Sequence, residues 1–201
     1  MRGLTSIVFG SVLLFSIGAA EAQQRSGDAN ARWGEVFASS KAIEARYEAP
    51  TSFSGQPNSA FDYGLFLSED RDFVATVGLL MGSTLNFGWK PLQVRFGPRA
   101  YAALLSERDT DAFAMSIGIQ ARYEIAPSHG VAIAGHAFYA PDILTFGSAN
   151  RVTDLMARGE IAVAERLIVF GGYRWFSMDL TDQPNRDLQN QVFAGVRWQL
   201  H

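Results

Sequence analysis

Seven arginines stand at one parity on stretches of alternating sequence: Arg46, Arg95, Arg99, Arg122, Arg158, Arg174 and Arg197. Glu44, Glu48, Asp62, Glu124 and Glu160 share that parity. A guanidinium offers five donors in a planar fork, so such a set can pair into a ladder of ions wherever these faces converge. Seven arginines against five carboxylates would also give any pore they line a mild anion preference. Other chemistry is sparse. Of the three histidines, His129 precedes a glycine, His201 is terminal, and only His136, in Gly135-His136-Ala137-Phe138-Tyr139, is placed where a base could work. No serine lies two or four residues from it on the same face, and Ser148 or Ser177 would approach only through folding. A hydrolase needs nucleophile, base and orienting group in mutual reach, so no catalytic residues are expected. No His or carboxylate pair stands at ligand spacing and there is no cysteine, so neither metal, thiolate cluster nor disulfide is expected. No glycine-rich phosphate loop appears, and no cofactor is expected. With 17 Lys+Arg against 20 Asp+Glu, the chain has no basic field for nucleic acid.

The elements that would position these groups read with period two. Phe113, Met115, Ile117, Ile119, Ala121 and Tyr123 alternate with Ala114, Ser116, Gly118, Gln120, Arg122 and Glu124, giving one apolar and one small or polar face. Val192, Ala194, Val196, Trp198 and Leu200 repeat the device against Gln191, Phe193, Gly195, Arg197 and Gln199. Further strands are legible at 43–47, 61–67, 73–81, 92–99, 131–139, 155–163 and 167–180, nine in all, with 73–81 apolar on both faces. Bacterial single-chain barrels have even strand numbers, so a weak strand at 33–38 completes ten; eight, with the first segment outside the wall, is the alternative. Charged or Pro-rich connectors at 68–72, 106–111, 140–151 and 181–187 alternate with mostly shorter ones at 86–91, 126–130 and 164–166, as an antiparallel meander with long loops at one end requires.

The 201 residues are 48% apolar and 18% charged, enough for one domain and too apolar for a disordered chain. Arg2, the apolar run 7–17 and Ala20-Glu21-Ala22 form a secretory signal, residues 1–22, with cleavage after Ala22. That run is short of the ~20 residues that span a bilayer, and no later window approaches them. Residues 23–40 then form an N-terminal segment containing the weak first strand, and 41–201 the barrel. Strand parity places Trp198, Tyr123, Tyr47, Trp89 and Phe61 near one end, and Tyr139, Tyr101, Tyr173 and Trp175 near the other, two interfacial belts. The expected fold is therefore all-β: an antiparallel up-and-down transmembrane β-barrel in the outer membrane, monomeric and facing lipid. Its lumen is expected to hold Arg46, Arg95, Arg99, Arg122, Glu124, His136, Arg158, Glu160, Arg174 and Arg197. About eight strands leave room only for side chains, so ten with bulky arginines make a narrow or shut lumen.

Phe138-Tyr139-Ala140-Pro141-Asp142-Ile143-Leu144 resembles the Tyr-Ser/Ala-Pro-Asp/Glu stretch of the YfaZ family of outer-membrane proteins. Gly172-Tyr173-Arg174-Trp175, followed by Asn185-Arg186-Asp187, looks like that family's Gly-Tyr-Arg-aromatic strand and loop, and the loop order fits from about Ser59 onward. The C-terminal segment is similar to the signal read by the barrel-assembly machinery, with Gly195, Trp198 and Leu200 in place, though the chain ends on His201 rather than an aromatic residue. The resemblance implies a porin-like outer-membrane barrel and carries no catalytic residues. The expected function is structural or narrowly porin-like, with passive passage of small solutes. A lipid-modifying enzyme, or an adhesin or receptor acting through 140–151 and 181–187, is the alternative.

Overall fold

A computed structural model describes residues 31–51, 59–87, 90–106, 110–180 and 183–200. The signal segment, Trp89 and His201 lie outside these residues. The described chain is all-β but for two short 3-10 turns: β1 (Arg32–Ser39), β2 (Ala42–Pro50), β3 (Ala60–Ser68), β4 (Phe73–Phe87), β5 (Lys90–Leu105), β6 (Thr110–Ala126), β7 (Val131–Ala140), β8 (Thr145–Gly147), β9 (Ala149–Ala164), β10 (Leu167–Leu180) and β11 (Gln183–Leu200). All pairings are antiparallel. Ten of the eleven strands form a closed ring, sealed where β1 pairs with β11 and β5 with β6. Closure leaves no unpaired sheet edge running the height of the wall. The expected first strand at 33–38 is β1, and the ten-strand reading holds.

Alternation sorts the side chains as period two requires. On β6, Ala112, Ala114 and Ser116 are buried while Phe113, Met115, Ile117 and Ile119 face outward, Ile117 at 65% exposure. Val192 is 72% and Phe96 58% exposed on their strands, an outward apolar surface that only lipid can cover favourably. The strand that is apolar on both faces, β4, turns Val74, Thr76 and Leu80 inward.

Two expectations change. Two of the four polar connectors are largely sheet, not loop: β8 and the start of β9 fall within 140–151, and β11 starts at Gln183 within 181–187. Backbone pairing continues past the apolar band, because a ladder needs hydrogen-bond partners and not greasy side chains. At the end opposite the start of β1, the longest connection is 141–148, a 3-10 turn (Asp142–Leu144) and β8, which pairs with β6 at Ala112–Ala114 beyond the top of β7. At the other end, nine residues, 51–59, separate β2 from β3 in sequence. Tyr101 also leaves the expected belt: it shares the parity of Arg99 and is fully buried in the lumen, whereas Tyr139, Tyr173 and Trp175 stay exposed.

The closed ring predicts a gel result. Unboiled refolded protein should migrate as a compact band distinct from the boiled form; identical migration would show that the ring does not persist in detergent.

Candidate functional site

Read inward along each strand, the lumen is layered. At the end carrying the 69–72 and 141–148 connections, Phe66, Val74, Tyr101, Ala103, Leu105, Ala112, Ala114, Ala140, Val152, Phe176, Met178, Leu180 and Leu188 form one apolar cluster. A bulge helps to close it: Phe176 pairs with Gln189 and Ser177 with Asp187, so Leu188 is an extra residue on β11. A bulge bends its strand, and here both Leu188 and Gln189 are buried. Phe176 packs edge-on against Phe66 from the opposite wall, ring centroids 5.6 Å apart, and against Tyr101 at 5.8 Å.

Beneath this cap lies an ion layer built on Asp154. Arg174 donates to both of its oxygens, Nε to Oδ1 at 2.8 Å and Nη2 to Oδ2 at 3.0 Å, and also to Glu44. Tyr101 donates its hydroxyl to Asp154 at 3.2 Å, and Arg99 bridges Asp154 at 3.6 Å and Asp62 at 2.9 Å. Arg46 donates to Glu44 at 2.5 Å. His136 Nε2 lies 3.0 Å from Asp154 Oδ1, and its Nδ1 lies 3.5 Å from Arg46 Nη1, a donor. These partners fix the tautomer: Nε2 carries the proton and Nδ1 accepts.

A second layer lies nearer the end where β1 starts and β11 finishes. It is a chain of alternating charge: Arg95 to Glu48 at 2.7 Å, Glu48 to Arg197 at 3.5 Å, Arg197 to Glu35 at 3.2 Å and Glu35 to Arg158 at 2.8 Å. It continues from Arg158 to Glu160, Glu160 to Arg122 and Arg122 to Glu124, each at 2.8 Å. The first layer holds three arginines and three carboxylates, the second four and four. Each layer is neutral when His136 is uncharged. Between them is a cavity of about 50 Å³, lined by Arg46, Asp62 and His136 from one layer and Glu35, Glu48 and Arg158 from the other. That is room for little more than a few waters.

Aromatic faces complete the solvation of the cations. Arg99 lies 3.8 Å from the Phe138 ring centre, Arg158 4.3 Å from Phe170, Arg174 4.6 Å from Phe176, Arg197 4.6 Å from Trp33 and Arg46 5.2 Å from Phe37. A cation over a ring replaces part of its lost hydration. At the inward position Gly172 a Cβ would lie 2.7 Å from Arg158 Cα on the neighbouring strand, so the close approach of β9 and β10 there requires a glycine.

All ten expected lumen residues belong to these two layers. Two acids were not singled out in the sequence, Glu35 and Asp154, and they change the electrostatics. With them the count is seven arginines to seven carboxylates, so the expected anion preference has no net charge to rest on. The signal was legible: stepping back by two from Arg158 reaches Met156, Asp154 and Val152, and stepping by two from Trp33 reaches Glu35 and Phe37.

A family model described as YfaZ precursor matches residues 58–199, most of the chain. No curated protein matches it. Among solved structures, the chain is similar to one described as a bacterial polysaccharide outer membrane secretin, with TM-score 0.46 and 14% identity, over 80% of this chain and 56% of that one. It thus spans a little over half the length of that protein.

Proposed function

Since the chain belongs to the YfaZ family of outer-membrane β-barrel proteins, we propose that it serves there as a structural, non-conducting barrel, inserted as a monomer and without catalytic activity. The layered lumen supports this reading: a buried apolar cap stands above two ion layers of balanced charge, with a cavity of only about 50 Å³ between them. A pore needs a wetted constriction, and a dry cap of Phe, Met and Leu excludes both water and ions. The porin-like alternative requires the cap to open.

Its partners on this reading are outer-membrane lipid, held by the outward apolar band, and the barrel-assembly machinery, engaged through Gly195, Trp198 and Leu200. Nucleic acid is no partner of a chain with this charge balance. The test is conductance of refolded protein in a planar bilayer. We expect no steady current above background in wild type, or in Arg95→Ala or Arg122→Ala, since both residues lie below the cap. Stable unitary conductance in wild type would establish the porin-like function instead.

A further inference from the structure

The ring closes through its shortest wall strand. Eight residue pairs join β1 to β11, from Arg32 opposite Leu200 to Ser39 opposite Phe193. These strands are distant in the chain, so their register is fixed by what they present to one another and not by a turn. Two glycines stand at this seam, each opposite an aromatic residue: Gly34 pairs with Trp198, and Gly195 with Phe37.

Gly34 lies at an outward-facing position yet is buried, because the Trp198 indole leans across the seam and covers it. A Cβ at Gly34 would stand 2.7 Å from both Cε2 and Cζ2 of that ring and 3.1 Å from Nε1. On the lumen face the fit is reciprocal: a Cβ at Gly195 would run into the Cβ of Phe37, and would lie 2.6 Å from Val36 O and 2.7 Å from Phe170 Cζ. Each strand thus offers one bulky ring and one notch, on opposite faces of the wall. A slip of two residues would set Trp198 against Arg32 or Val36 and Gly195 against Glu35 or Ser39, and both notches would be lost. Covering a strand glycine with a cross-strand aromatic ring is a recognised device for pinning register.

We propose that Gly34 is the docking notch through which β1 captures the C-terminal strand, seating Trp198 and so fixing the register in which the ring closes.

Gly34→Leu fills the notch without touching the C-terminal sequence. Gly159→Leu is the control, since Gly159 also lies in the wall and a Cβ there meets nothing within 4 Å. Refolding from urea into detergent, followed by the unboiled compact band, tests the notch alone. Gly34→Leu should reduce the compact yield by about tenfold, the equivalent of 1.4 kcal/mol, Gly159→Leu should leave it unchanged, and Gly34→Leu/Trp198→Ala should restore it by making room. A wild-type compact yield for Gly34→Leu, or no rescue in the double variant, overturns the notch.

Discussion

Arg174→Ala is expected to cost the folded barrel about 3–5 kcal/mol, the range for removing one partner of a buried ion pair. Arg174 is only 1% exposed, and its guanidinium joins two carboxylates, Asp154 and Glu44, while stacking on Phe176. Its loss would leave three carboxylates facing two arginines in a layer whose charged side chains are at most 7% exposed. Glu44 would keep Arg46, and Asp154 would keep His136, Tyr101 and the longer contact to Arg99. Arg174→Lys should recover part of the loss, since an ammonium restores the charge but not the fork that engages both Asp154 oxygens. Denaturant titration of the refolded barrel in lipid gives the measurement. A change below about 1 kcal/mol would place Arg174 among surface-like ion pairs and remove the hub role assigned to Asp154.

Phe176→Ala is expected to have a comparable cost, about 3–5 kcal/mol for truncating a fully buried phenylalanine, and to admit solvent at the capped end. Phe176 is the point where the cap touches both the opposite wall, through Phe66, and the ion layer, through Arg174. The lack of cysteine makes the second effect directly readable. Ser116→Cys places a thiol at a fully buried site on β6, between cap and ion layer. In the otherwise native barrel a charged maleimide should leave it unmodified until denaturation; with Phe176→Ala it should react in the folded state. Equal protection in both backgrounds would mean that the remaining cap residues close over the gap.

The fold was legible because a lipid-facing wall writes its pattern twice, in outward apolar residues and in inward charges at the same parity. The ten-strand count followed from the parity of termini even though Trp33–Ala38 is a weak strand on its own, and β1 is indeed the shortest in the wall. Tyr101 shows that parity outweighs residue type: two positions from Arg99 it turns inward despite being aromatic, and its hydroxyl serves Asp154. Pairs two residues apart on one strand, such as Arg46–Glu44 and Arg122–Glu124, follow from parity, but those that join distant strands do not. Arg158 and Glu35, for example, lie 123 residues apart and meet only through closure of the ring.

The two ion layers also differ in what they can sense. Arg99, Arg174, Asp154 and Glu44 are at most 2% exposed, whereas Arg95, Arg122, Glu48 and Glu124 are 15–24% exposed at the other end. Dissolved ions screen charges they can approach and not those behind a dry cap. Raising ionic strength should therefore loosen the outermost links of the alternating chain and leave the Asp154 hub as it was, so that the barrel answers to the salt of one compartment only.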